Sequence, residues 1–182
     1  MSGDEHRDLT GRIARILRDD GEDTGLTLAP GRVAQALASL GPAAVPGLIE
    51  VLTKTEGFGT PTHWQIVLQA LTELRAREAI GPLIGLFGET RETERRMLLL
   101  AALGELGGPG DTAVHDLAKA RLTDGEESPV LRGTAALCLG RLGDPRATDR
   151  LFHVVRDEQD ATLRASAVRA LTYLWQPPPS TP

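Results

Sequence analysis

A five-residue phrase returns five times at nearly constant spacing, and it limits the architecture more than any other feature of the chain. It reads Ala36-Leu37-Ala38-Ser39-Leu40, Ala70-Leu71-Thr72-Glu73-Leu74, Ala102-Leu103-Gly104-Glu105-Leu106, Cys138-Leu139-Gly140-Arg141-Leu142 and Ala170-Leu171-Thr172-Tyr173-Leu174. The starts lie 34, 32, 36 and 32 residues apart. A period of this length marks an array of small units, each too small to bury its own apolar surface, so that neighbours must pack together.

Each pentad ends a helix. In the fourth unit Leu131, Ala135, Cys138, Leu139 and Leu142 recur at helical spacing, while Ser128-Pro129 opens the segment as cap and first-turn proline. Gly143 closes it, with Gly107 and Gly41 at the same place in other copies. Small residues such as Ala102 and Cys138 on the apolar face let a neighbouring helix come close.

A second helix follows in each unit. Its stripe is Val45, Leu48, Ile49 and Leu52 in unit one, and Ile80, Leu83, Leu86 and Phe87 in unit two. Unit three gives Val114, Leu117 and Ala120, and unit four gives Ala147, Leu151, Val154 and Val155, with Asp144-Pro145 as cap and first turn. No segment alternates with period two between hairpin turns. The expected fold is all-α, an α-solenoid of stacked antiparallel helical hairpins.

The expected map has a capping helix and linker over 1–30, the helix itself at about 5–18 with Ser2 and Glu5 spaced as a capping box and Leu9, Ile13, Ile16 and Leu17 inward. The repeat array covers 31–175, with units at 31–54, 62–88, 91–122 and 128–156 and a last helix at 160–175. Residues 176–182 form a Pro-rich tail.

Paired helices of about 30 residues with A-L-x-x-L-G closing the first resemble the HEAT repeat, most closely its short bacterial, phycobilisome-lyase-type form. The stretch from Leu131-Arg132-Gly133-Thr134-Ala135 through Leu142-Gly143-Asp144-Pro145 to Val155-Arg156-Asp157 carries the resemblance best, which extends over roughly 31–175. It implies a scaffold or adaptor more than an enzyme; an enzyme or enzyme subunit of the HEAT-like lyase kind is the alternative. The resemblance also implies a ladder of carboxylate–arginine pairs joining units. Arg96, Arg132 and Arg164 each stand seven residues before a pentad leucine, with Glu89, Asp124 and Asp157 seven or eight residues upstream. Trp64 and Pro30 replace the arginine in the first two units.

Composition closes off other classes. Aromatic residues are 3% of the chain, so the core must be aliphatic. The net charge of −5 disfavours nucleic acid as partner. No apolar run approaches the roughly 18–20 residues of a membrane span. The polar start lacks a signal-like apolar stretch, and a cytoplasmic protein is expected. One cysteine, Cys138, at a pentad position otherwise filled by alanine, reads as a buried small apolar group. None of His6, His63, His115 and His153 has a second ligand at metal-motif spacing, and His115 and His153 read as solvated. The glycines of 104–110 are turn positions and not a phosphate loop. No catalytic residue, cofactor or metal is expected.

The expected function is therefore non-catalytic binding of a protein or peptide along the concave face lined by the second helices. Aligning these helices on Leu48, Leu83, Leu117 and Leu151 gives two columns: Glu50, Gly85, Lys119 and His153, and Gly47, Pro82, Asp116 and Arg150. The first two units present a nearly bare surface at Gly47, Pro82 and Gly85, suited to close backbone approach. Phe58, between glycines in the 53–62 loop, is a second candidate anchor, and Phe87 and Phe152 are expected to pack within second helices.

Overall fold

The structure is a computed structural model, and it describes residues 3–22, 30–53 and 61–175. Every regular element among these is helical. The chain forms two compact units, residues 1–90 and 91–182.

In the amino-terminal unit, α1 (Gly3–Glu22) is followed by α2 (Pro30–Ala38), α3 (Val45–Thr53), α4 (Pro61–Glu73) and α5 (Ile80–Glu89). Single 3₁₀ turns, Pro42–Ala44 and Arg77–Ala79, lead into α3 and α5. Thus α1 is longer than the 5–18 expected, and Ser2 of the proposed capping box lies outside the described residues. Ile13 and Leu17 of α1 are buried, whereas Leu9 and Ile16 are half-buried. The pair α2 and α4 pack together, α1 packs on α3, and Val33, Leu37, Leu48, Leu71 and Leu83 form the core. Trp64, in the place of a ladder arginine, is buried at 3% exposure.

The carboxyl-terminal unit contains α6 (Thr93–Leu106), α7 (Thr112–Thr123), α8 (Pro129–Leu142), α9 (Thr148–Asp157) and α10 (Ala161–Trp175), with a 3₁₀ turn at Pro145–Ala147. The first helices α6, α8 and α10 lie side by side, α7 packs on α8 and α9 on α10. All five stripe residues of α8 are at most 1% exposed. Each fully buried leucine of that stripe contributes roughly 2–3 kcal/mol through burial.

Local chemistry sets the helix ends. The Leu131 N–H donates to Ser128 Oγ at 3.3 Å, and Pro129 occupies the first turn, where no donor is needed. Gly143 ends α8 at φ 68, and Gly41 follows α2 at φ 79, both in the region that disfavours a Cβ. At the equivalent place after α4 the chain has Arg75, also at positive φ. Gly107 differs: its backbone is extended, and it is needed for space, because a Cβ there would stand 2.5 Å from Leu142 Cδ2.

Glycine at the third pentad position sets the approach of the first helices. A Cβ on Gly104 would meet Cys138 Cα at 3.0 Å, and one on Gly140 would meet Ala170 Cα and O at 2.6 Å. In both cases the third position of one pentad packs on the small first position of the next. Gly133 repeats this two turns earlier, where a Cβ would lie 2.8 Å from Ser166 Oγ.

The second helices follow expectation in three units and depart in one. Leu48, Leu83 and Leu151 are fully buried, each four residues after a buried alanine at 44, 79 or 147. In α7 the corresponding pair is Val114 and Ala118, with Leu122 next; Leu117 is half-buried and Ala120 exposed. The unit-three stripe therefore keeps Val114 but continues through Ala118 and Leu122 in place of Leu117 and Ala120. α7 begins directly after its Asp111 cap, without the 3₁₀ turn that precedes the other second helices.

Among the described residues no single helix is long and apolar enough to cross a membrane. Only the pair 30–38 and 42–53, bent by 104°, passes on length and composition, and its apolar residues Val33, Leu37 and Leu48 are core.

The glycine contacts predict opposite outcomes for one substitution at two sites. Gly140→Ala should lower stability by about 1–3 kcal/mol, since backbone must move. Gly85→Ala, with open space around its Cβ position, should leave stability unchanged or raise it by up to about 1 kcal/mol. Thermal or denaturant unfolding of the two variants checks the sign.

Candidate functional site

The partner-binding columns expected from sequence separate into covered and open residues. In the amino-terminal unit Gly47 is buried, because a Cβ there would meet Ile13 Cδ1 at 2.9 Å and Thr10 Oγ1 at 3.2 Å. Thr10 Oγ1 also donates to Glu50 at 3.2 Å. The chain's own first helix thus occupies the bare surface of α3, which corrects the expectation of a groove there. Pro82 and Gly85 on α5 are exposed. Phe58 lies outside the described residues.

In the carboxyl-terminal unit Asp116, Lys119, Arg150 and His153 are all exposed. They do not form equivalent columns, since α7 buries Ala118 where the alignment placed Leu117. An open cleft of about 310 Å³ lies between the end of α7 and α9, lined by Leu122, Thr123, Arg132, Arg150, His153, Val154 and residues 157–159. Leu122 and Val154 give it an apolar lining, and the remaining side chains are polar or charged.

The ladder is present, but with other carboxylates. Arg96 makes a two-pronged contact with Glu127, Nη1 to Oε2 at 2.8 Å and Nη2 to Oε1. Arg132 pairs with Glu158 at 2.8 Å and donates from Nε to the Leu122 carbonyl at 3.1 Å. Arg164 donates from Nη1 to the carbonyls of Glu158 and Gln159 at 2.9 and 2.8 Å. The expected partners Asp124 and Asp157 are instead taken by Arg121 at 3.1 Å and Arg156 at 2.7 Å, and no Glu89–Arg96 pair forms. Arg96 and Arg132 reach forward to the loop that precedes the next first helix, because that loop is carried alongside by the glycine-spaced packing, whereas Arg164 binds the loop before its own helix. The first two leave behind the nearer acid at the end of the previous second helix.

The hydrogen bonds from Arg96 and then Arg121 hold the Glu127 carboxyl below its ordinary range against the opposing effect of burial. Glu158 is likewise lowered, first by the Asp160 and Gln159 backbone N–H groups and then by Arg132. Asp144, buried where α8 turns into α9, is lowered chiefly by the Arg146 guanidinium at 2.8 Å. At the cleft rim Arg156 Nη2 lies 2.9 Å from His153 Nδ1 and grips Asp157.

Two histidine and aromatic expectations need correction. His115 is 5% exposed, not solvated, because the stripe of α7 through Ala118 and Leu122 turns it inward; its Nδ1 lies 3.2 Å from Asp116 Oδ1. Phe152 is 46% exposed and meets Trp175 at 5.8 Å between ring centres, whereas Phe87 is buried as expected. Cys138 is fully buried, and burial pushes its thiol up to about 12, so the thiolate is suppressed at neutral pH. Sequence reasoning passed over Glu127 and Glu158; only their place in the loops could have pointed to them.

Repeating helical hairpins joined by ion pairs define a helical-repeat protein. Residues 96–172, from the first ladder arginine to the last pentad, match the family model for HEAT repeats. HEAT repeats commonly mediate protein–protein interaction. No curated protein matches the chain.

The lowered carboxyls fix a direction of pH dependence. A depressed folded-state value contributes stability above the unfolded value, near 4.5 for Glu127, and the contribution disappears as pH falls through the folded value. Stability should therefore drop on acidification below about pH 4.5, and Glu127→Gln, weaker at pH 7, should converge with the parent in acid. Arg132→Ala should cost on the order of 1–2 kcal/mol at neutral pH, through the loss of a partly buried pair and a carbonyl contact. Urea unfolding across pH measures both.

Proposed function

We propose that the chain is a non-catalytic scaffold of short bacterial, phycobilisome-lyase-type HEAT-like repeats, acting in the cytoplasm and binding a protein or peptide partner. The observation that carries this reading is the cleft beside α9. It is open, its apolar lining is narrow, and α9 presents Arg150, His153 and Asp157 along its rim. Such a surface suits an extended or helical segment oriented chiefly by charge. The exposed Asp116 and Lys119 on α7 extend the polar rim. The net charge of −5 favours a protein over a nucleic acid as the occupant.

The reading is tested in the native cell with a photo-crosslinking residue at position 150, compared with one at exposed Glu94 on α6. A protein adduct specific to position 150, lost at least tenfold when His153 and Lys119 are changed to glutamate, is expected. Equal adducts at both positions, unaffected by those changes, would contradict it.

A further inference from the structure

Helix α10 of the carboxyl-terminal unit carries an exposed surface built like an internal junction. The two junctions within the unit share one pattern. At the first, α8 covers α6: Cys138 packs on Gly104, the preceding loop delivers Glu127 to Arg96, and Arg141 reaches Glu105 at 3.2 Å. At the second, α10 covers α8: Ala170 packs on Gly140, the preceding loop delivers Glu158 to Arg132, and Tyr173 lies 5.7 Å under the Arg141 guanidinium. The covering element is in each case a helix with a small residue at the first pentad position, preceded by a glutamate.

Helix α10 presents the same features outward. Shifted by the 32-residue period, Gly133, Ala136 and Gly140 of α8 become Ala165, Val168 and Thr172, all exposed, with Val168 at 47%. One turn on, Trp175 is 65% exposed. The ladder is unfinished at the same place. Arg164 uses Nη1 for two carbonyls, as Arg132 uses Nε for one, but among the described residues no carboxylate meets its other donors. An exposed face of small residues around Val168 and a half-buried guanidinium with donors that no described carboxylate meets thus point to the same kind of neighbour.

We infer that the outer face of α10 docks an amphipathic helix of a partner protein, one that carries an acidic residue just before its amino terminus and small residues along its contact stripe. The acid completes the Arg164 rung, as Glu127 and Glu158 complete the earlier two, and the stripe seats against Ala165, Val168 and Thr172. Ala165 and Thr172 have side chains where α8 has glycine. A partner helix therefore stands farther from α10 than α10 stands from α8. That looser seat fits a partner that exchanges, in contrast to the permanent internal junctions. This surface is distinct from the cleft beside α9, and either can be present without the other.

The chain supplies its own probe, since residues 158–175 are the element that covers α8. A fluorescent peptide of this sequence is titrated with the full chain and followed by anisotropy. Saturable binding is expected, weakened at least tenfold by Ala165→Arg, which blocks the seat without touching an internal contact, and by Arg164→Gln. A peptide carrying Glu158→Gln should bind the parent chain at least fivefold more weakly yet bind the Arg164→Gln chain no worse than the unmodified peptide does. Arg150→Glu, in the other cleft, should leave peptide binding unchanged. Absence of saturable binding, or binding indifferent to Ala165→Arg, would overturn the inference. So would a dimer of the chain that Ala165→Arg dissolves, since a second copy would then be the occupant.

Discussion

The carboxyl-terminal unit depends on how closely α8 and α10 approach at Gly140. A side chain there would stand 2.6 Å from the Ala170 backbone, a separation no Cβ adopts, so the helices touch main chain to main chain. The Gly104–Cys138 contact repeats the arrangement on the other side of α8. Close approach shortens the distance the loops must span. It brings Glu127 beside Arg96 and Glu158 beside Arg132, where short hydrogen bonds become possible. The ion pairs are thus a consequence of the packing as much as a cause of it. Partly buried pairs of this kind contribute modestly to stability and more to fixing the register of neighbours. The same approach leaves Cys138 no solvent and removes it from thiol chemistry.

The amino-terminal unit solves the problem differently. Its third-position residues in the pentads are Ala38 and Thr72, and Trp64 stands buried where a ladder arginine would be. Here α1 supplies cover: Ile13 and Thr10 sit over Gly47, so the glycine in α3 receives a helix of the same chain. A bare helix surface is a site of close approach, but composition alone does not say who approaches. The family match over 96–172 falls on the unit with glycine spacing and a ladder, which is where the repeat pattern is regular.

Much of the architecture was legible because it rests on periodic signals. The pentads placed five first helices, and Ser128-Pro129 and Gly143 marked the ends of α8 to the residue. What escaped the sequence are features that depend on side-chain direction or on which of several acids is carried near. Glu127 stands five residues before Arg132 and Glu158 six before Arg164, much like the rejected Asp124 and Asp157. Linear spacing does not separate these candidates; the path of the loop does. In α7, which lacks the 3₁₀ turn before the other second helices, the stripe runs through Val114, Ala118 and Leu122, with His115 buried and Ala120 exposed. The exposed pair Phe152 and Trp175 escaped because an aromatic residue on an amphipathic helix is usually inward.

If close backbone contact at Gly104 and Gly140 holds this unit together, α8 is its most protected segment, since within the unit it is packed against both α6 and α10. Native-state hydrogen exchange of the intact chain measures this directly. The account predicts that amides of 133–142 exchange only through opening of the whole carboxyl-terminal unit, with α7, α9 and the end of α10 opening at lower free energy. Exchange of the α8 amides as fast as those of α7 and α9 would contradict it.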